Sequence, residues 1–275
     1  MKITEIKELL MHEPNETTLE ELKLDTRAGV QKLLASYYKK IAAAEEEKIR
    51  FSKMLESEHK YWDNGIKYVA GVDEAGRGPL AGPLVVASVI LPQDIFISGL
   101  NDSKQLSASK RDKLYGEVCA KAISISVNIV GTYDIDRLNI YEATKESMVK
   151  VLENLEPYPE AALIDAMPIS LDNVKVESLI HGDARSATIA AASIIAKVTR
   201  DRIMIDLDKE YPQYGFAGHK GYGSQSHMDA IRQYGATKWH RRSYEPVKSM
   251  HIMENGVDEN IVIKLKTNNN INRDI

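Results

Sequence analysis

The sequence predicts an α/β protein: a mixed β-sheet flanked by helices, with a helical extension ahead of it. Residues 1–66 place apolar side chains at helical spacing. Two β-prone runs, 68–72 and 84–91, then follow each other across a glycine-rich turn, and three more at 123–130, 161–164 and 174–179 alternate with helical patterns at 107–121, 140–155 and 186–210. Strands that meander first and later alternate with helices indicate a mixed sheet with helices packed on it.

In the extension, a short helical run over 3–11 is stopped by Pro14, and Thr17 or Thr18 followed by Glu20 and Glu21 reads as a capped start. From there to about Trp62 the apolar series Leu33, Leu34, Tyr37, Tyr38, Ile41, Ala44, Ile49 and Met54 continues at helical spacing, and the extension reads as two or three helices. No cluster in 1–66 suggests chemistry, so these residues read as an accessory domain with a solvated, mixed-charge face. Residues 67–250 carry the sheet and its helices. The stretch 251–275, with Asn268-Asn-Asn-Ile-Asn272, reads as a polar tail that is loose at its end.

Composition excludes several classes. The chain of 275 residues is 43% hydrophobic and 28% charged, which is globular rather than disordered. Its longest apolar stretches, 84–91 and 189–196, fall far short of the roughly 20 residues a membrane-spanning helix needs. Glu5 and Glu8 stand where a signal peptide would be basic, so a cytoplasmic protein with no membrane partner is expected. The single cysteine, Cys119, excludes an internal disulfide and a cysteine zinc site. The formal charge of -4 conceals a gradient: residues 67–184 hold 11 Lys and Arg against 17 Asp and Glu, whereas 185–250 hold 11 against 6. An acidic centre beside a basic flank suits a protein that holds cations at one point and a polyanion around it, although scattered surface charge produces the same counts.

The chemistry concentrates in Val72-Asp73-Glu74-Ala75-Gly76-Arg77-Gly78-Pro79-Leu80-Ala81-Gly82-Pro83. Adjacent carboxylates on a strand face opposite ways. Three glycines and two prolines in the next nine residues predict a departure from regular pairing that lets Asp73 and Glu74 approach one site. Gly76 and Gly78 permit close backbone approach to a ligand, and Arg77 supplies a planar cation. Asp165 ends the run 161–164, and Asp183 follows 179–182 just before a long Ala-rich helix. Either acid alone fits a helix N-cap. Together, acids at neighbouring strand ends converge on one rim of an open sheet, where their mutual repulsion is relieved by divalent cations, with oxygen ligands favouring Mg²⁺ or Mn²⁺. Small residues at 187, 190, 191, 193 and 196 allow the following helix to pack closely under the site. Lys197 shares a face with Ser193 and either pairs with a site acid or reaches solvent. In the basic flank, 211–224 interleaves aromatics with glycines and Lys238-Trp-His-Arg-Arg242 follows, a pattern suited to stacking on bases and holding phosphates. Tyr211 and Tyr214 fit a core role, and Tyr222, between Gly221 and Gly223, an exposed one.

These residues resemble the bacterial ribonuclease HII family of type 2 ribonucleases H over roughly 67–250. The resemblance rests on the motif 73–83, on Asp102-Ser-Lys-Gln-Leu-Ser107, Leu163-Ile-Asp165, Gly182-Asp183, Ala191-Ala-Ser-Ile-Ile-Ala-Lys197 and His219-Lys-Gly-Tyr-Gly223. It implies a ribonuclease H-like fold and endonucleolytic hydrolysis of RNA in RNA–DNA hybrids, including a single ribonucleotide within duplex DNA. By this resemblance two metal ions, Mg²⁺ or Mn²⁺, sit on Asp73, Glu74, Asp165 and Asp183, and cleavage leaves 5′-phosphate and 3′-hydroxyl ends. Gly76, Arg77 and Gly78 would meet the ribose 2′-hydroxyl, Tyr222 would stack beside it, and Lys104 and Lys197 would add substrate contacts. Related ribonucleases HIII would carry Lys at position 77 and a β-rich N-terminal domain, and this chain has neither. A monomer is expected. A nonenzymatic nucleic-acid binder and a nuclease of the same fold acting on DNA alone are the alternatives.

Overall fold

A computed structural model describes residues 1–12 and 14–249 and the backbone of Ile261–Leu265. The chain divides into two compact units, Met1–Ser52 and Lys53–Ile275. In the first, helices α1 (Ile3–Leu9), α2 (Glu16–Leu24) and α3 (Ala28–Met54) bury Ile6, Leu22, Val30 and Leu34 against one another. Helix α2 starts before the threonines expected to cap it. The Asn15 side chain accepts the Thr18 N–H at 2.9 Å, so Asn15 is the cap and both threonines lie in the first turn.

The second unit opens with α4 (Glu56–Trp62), β1 (Val69–Ala75), β2 (Leu84–Ile90), α5 (Ala108–Lys121), β3 (Ser124–Val130), α6 (Thr132–Leu138) and α7 (Ile140–Glu153). Strands β4 (Ala161–Asp165) and β5 (Lys175–Leu179), the short α8 (Gly182–Arg185) and the long α9 (Ala187–Glu210) follow, then α10 (Phe216–His219), α11 (Gln225–Tyr234) and β6 (Ile261–Leu265). The five strands and three helical patterns expected over 68–210 are all present, with ends shifted by a few residues at most. Strand β6 is an addition: it lies within the stretch read as a polar tail and pairs antiparallel with β3, from Ile125↔Leu265 to Ile129↔Ile261. The Asn-rich segment 268–272 lies outside the described residues.

The sheet order is β5-β4-β1-β2-β3-β6, with β1, β4 and β5 parallel and the other pairings antiparallel. One face packs against α6 and α7, where Val72, Val86 and Leu84 share a core with Ile135, Met148, Val151 and Leu152. Gly71 and Asp73 belong to the opposite face by the two-residue period of a strand, and that face carries α9. The fit is close: a Cβ on Gly71 would overlap the Thr188 backbone. Gly71→Ala is therefore expected to cost about 1–3 kcal/mol through overpacking, read as a lower thermal midpoint. An unchanged midpoint would contradict this packing.

Helix α4 is tied to the N-terminus of α9. The Glu58 carboxylate, fully buried, accepts from Ser186 Oγ at 2.6 Å, Thr188 N at 2.9 Å and Thr188 Oγ1 at 2.8 Å. A negative group there satisfies free N–H donors and complements the helix dipole, while burial raises its pKa. At the far end of α9, Met204 and Leu207 join Leu80, Tyr214, Phe216 and Ile231 in a second core that fixes the C-terminal helices beside the 76–83 loop.

Candidate active site

Parallel pairing of Val72 with Ile164 puts the next residues, Asp73 and Asp165, at neighbouring strand ends. The Gly182 N–H donates to Asp165 Oδ1 at 2.8 Å, which fixes the turn that carries Asp183. Carboxylate oxygens of Asp73, Asp165 and Asp183 all lie within 4.8 Å of one another. Burial first, and then Glu74, raises the Asp73 pKa well above its ordinary value, against a hydrogen bond from Ser193 that lowers it. Burial first, then Asp102 and Asp165, raises that of Asp183. Ser193 is held by a 2.8 Å contact between its hydroxyl and that of Ser103.

Glu74 reaches the cavity by another route. Pairing of β1 with β2 stays regular through Asp73↔Ala87, Glu74↔Val86 and Ala75↔Val85, so the expected departure from the sheet comes only at Gly76, with φ +96°. Glu74 would be turned away from Asp73 by strand alternation alone, yet besides burial the charge of Asp165 raises the pKa of both. Glu74 still lines the same cavity of about 390 Å³ because it lies at the strand end. Burial raises its pKa, opposed by Arg77, whose Nη1 lies 3.4 Å from Glu74 Oε1. Its other oxygen, Oε2, is buried without a hydrogen-bond partner among the described residues. Three raised carboxyls, an oxygen-only donor set and this orphaned oxygen fit a divalent cation.

The remaining expected residues lie around that cavity. Gly76, Arg77, Gly78, Lys104, Lys197 and Tyr222 all line it. Lys104 Nζ is 3.5 Å from Asp183 Oδ2. Lys197 pairs with Asp201 at 2.7 Å, which answers the question of its partner: it binds neither the acid cluster nor solvent alone. Tyr222 is 49% exposed and its ring borders Gly78. Tyr214 is buried, as expected.

Arg241 departs from expectation. Within the basic run 238–242 it reads as a phosphate contact, yet it is 0% exposed and donates to the carbonyls of Gly76, Arg77 and Gly82. A side chain consumed by backbone acceptors is out of reach of a phosphate. Arg200 is buried beside it and donates to the carbonyls of Ala81 and Pro83, and Tyr244 Oη donates to the Arg77 carbonyl at 2.7 Å. Sequence reasoning missed this cradle because a buried arginine bound to carbonyls leaves no periodic or motif signal. With the Gly76 and Arg77 carbonyls held inward, the N–H groups of Arg77 and Gly78 make no hydrogen bond among the described residues.

A mixed sheet flanked by helices, with aspartates clustered at its strand ends, defines a metal-dependent endoribonuclease of the ribonuclease H class. Residues 70–247 match the family model for Ribonuclease HII, and residues 2–62 match that for the Ribonuclease HII N-terminal domain. A Ribonuclease HII from Bacillus anthracis is 51% identical over 226 residues, 82% of this chain and 88% of the relative. One from Geobacillus sp. (strain WCH70) is 48% identical over 250 residues, 90% of each chain. The crystal structure of ribonuclease H2 from Pyrococcus horikoshii OT3 has a TM-score of 0.58 at 31% identity, covering 66% of this chain and 96% of that one. The chain belongs to the ribonuclease HII family. Its activity is that of a ribonuclease H, endonucleolytic hydrolysis of RNA paired with DNA, and it depends on divalent metal. No helix among the described residues is long and apolar enough to cross a membrane.

Proposed function

We propose that this enzyme also incises duplex DNA at a single embedded ribonucleotide, using two Mg²⁺ or Mn²⁺ ions, and leaves 5′-phosphate and 3′-hydroxyl ends. The observation that carries the reading is one cavity lined by Asp73, Glu74 and Asp165, with Asp183 clustered on the two aspartates, and by the Gly76–Arg77–Gly78 segment with Tyr222. Asp73, Glu74, Asp165 and Asp183 would hold the ions, which when bound supply charge neutralisation at the phosphate and lower the pKa of water. The unpaired N–H groups of Arg77 and Gly78 are donors for an oxygen that DNA lacks, the ribose 2′-hydroxyl. Tyr222 offers an exposed ring on which a sugar or base can rest. Arg77 and Lys104, both partly exposed, are placed to meet flanking phosphates. In this reading residues 67–250 do the chemistry, the helices of 1–66 are accessory, and the free, buried Cys119 suits a reducing cytoplasm.

The test is a duplex carrying one ribonucleotide beside a continuous hybrid and an all-DNA duplex, each with Mg²⁺, Mn²⁺ or EDTA. Incision of the first two at the RNA, abolished by EDTA, is expected; cleavage of the hybrid alone would overturn the single-ribonucleotide reading. Arg77→Ala or Tyr222→Ala should cut single-ribonucleotide incision about tenfold or more, since one stacked contact is worth about 1–3 kcal/mol, with little change in thermal midpoint. Wild-type incision by both variants would remove these residues from recognition.

A further inference from the structure

A chain of histidines runs beneath Tyr222. We propose that His240 and His227, neutral and locked in opposite tautomers, form a mount that positions Tyr222 for substrate, a role that rests on the reading of Tyr222 given above. The backbone at each end of the chain dictates where the protons sit. The Thr237 N–H can only donate, and it meets His240 Nδ1 at 2.9 Å. A neutral His240 therefore carries its proton on Nε2. That atom lies 3.1 Å from His227 Nε2, which must accept. His227 then holds its proton on Nδ1, and it donates to the Tyr222 carbonyl oxygen at 2.9 Å. Every ring nitrogen is used, and His240 Nδ1 also meets Thr237 Oγ1 at 2.9 Å. A second proton on His227 would set two N–H groups against each other across the 3.1 Å contact.

The surroundings favour the neutral rings. His227 is 0% and His240 1% exposed. Burial pushes their pKa values down to about 4 and about 3. Phe216 stands edge-on to His227 at 5.5 Å, and Tyr214 lies 5.2 Å from His240. A third imidazole completes the mount. His219 stacks on His227 with ring centroids 4.4 Å apart, accepts the Gly221 N–H at Nδ1 and donates from Nε2 to the Tyr214 carbonyl. Both the Gly221 N–H and the Tyr222 C=O are thus held by imidazoles. The Tyr222 side chain is half exposed, and the residue bordering it at Gly78 has no side chain to steer it. The Arg200 guanidinium lies 6.0 Å from the ring centroid, and the histidines hold the backbone from which the ring extends. They act as positioning residues; none of them lines the acid cavity.

Long-range ¹H–¹⁵N spectra of the native protein's imidazoles test the assignment directly. His240 and His219 should appear as Nε2–H tautomers and His227 as the Nδ1–H tautomer, with His227 and His240 neutral at pH 6 to 8. In parallel, His240→Leu removes the donor to His227, whereas His240→Gln keeps an N–H at a similar reach. Because misplacing a contact by about 1 Å can cost up to about a hundredfold, His240→Leu should lower kcat/KM on the single-ribonucleotide duplex by about tenfold or more, and His240→Gln should restore most of it. A cationic or Nε2–H His227 in the native protein overturns the mount, as does a folded His240→Leu variant that incises normally. Should His240→Leu fail to fold, the native tautomers decide. The assigned tautomers in a native protein that cuts the continuous hybrid but not the single-ribonucleotide duplex would overturn the reading of Tyr222, and with it the purpose of the mount, while leaving its geometry standing.

Discussion

Asp73→Asn should abolish cleavage while leaving the metal-free protein more stable at neutral pH than the native one. Loss of a group that merely orients a metal ligand costs about 10–100-fold, so removal of a ligand at the centre of the cluster should exceed a hundredfold. The gain in stability follows from the raised carboxyls. Burial and Glu74 raise the Asp73 pKa, and Glu74 and Asp183 are raised too. For an acid raised on folding, the folded state binds protons that the unfolded chain has released. Its stabilising contribution is present below the unfolded value of about 4 and is lost as pH rises through the folded value. At neutral pH the metal-free protein therefore carries an electrostatic penalty, and an amide at position 73 removes part of it. Thermal midpoints in EDTA should rise for Asp73→Asn, and the further rise that Mg²⁺ or Mn²⁺ gives the native protein should shrink or vanish. Binding of hybrid should survive. A variant with full Mg²⁺-dependent activity would remove Asp73 from catalysis; a variant less stable in EDTA would contradict the repulsion.

The second large effect is expected at Arg241. Arg241→Met keeps much of the volume but strips the donors from the carbonyls of Gly76, Arg77 and Gly82. The Arg77 carbonyl keeps Tyr244 Oη, but a buried acceptor left unsatisfied costs about 1–3 kcal/mol, so a loss of about 2 kcal/mol or more is expected from the carbonyls of Gly76 and Gly82. Single-ribonucleotide incision should fall with it, because the same guanidinium keeps the carbonyls of the 76–77 segment turned inward. Arg241→Lys offers one cationic point where a fork is required, and it should recover only part of either property. Denaturant unfolding and incision assays on both variants check this. An unchanged midpoint for Arg241→Met would mean that the loop holds its shape without the cradle.

The second member of the cradle sharpens the point. Arg200 and Arg241 are both buried, and neither forms an ion pair among the described residues; burial first and then Arg241 lowers the Arg200 pKa to about 10. Two guanidiniums taken out of water without carboxylates are costly unless their donors are satisfied, and here backbone carbonyls of the 76–83 loop satisfy them. Gly76 shows how closely the loop is fitted. At φ +96° it adopts a backbone conformation that suits glycine, and a Cβ there would overlap Arg200. The loop's shape is thus imposed by packing from beneath as much as by its glycines.

Much of this was legible in the chain because it is local. Short β-prone apolar runs and helical repeats mark β1 to β5, α5, α7 and α9. Acids at the ends of such runs have few places to go once the strands are parallel neighbours, so Asp73, Asp165 and Asp183 could be expected at one rim. Strand β6 was missed although Ile261-Val-Ile-Lys-Leu265 is itself a β-prone run, because the polar residues around it outweighed five positions. The residue at which β1 leaves the sheet was missed for a different reason: glycines and prolines say that a strand will be left, but the pairing with β2, regular through Ala75, decides where.

Residue type and spacing were thus enough to settle the kind of sheet, the elements that cover it, and which aspartates meet at its rim. They could not settle whether Arg241 faces water or backbone carbonyls, which nitrogen of His227 carries a proton, or what Glu58 binds. Those outcomes depend on partners about 13 to 165 positions away. A hydrogen bond across such distances leaves no periodicity in the chain, and only the folded arrangement of helices and loops brings its two ends together.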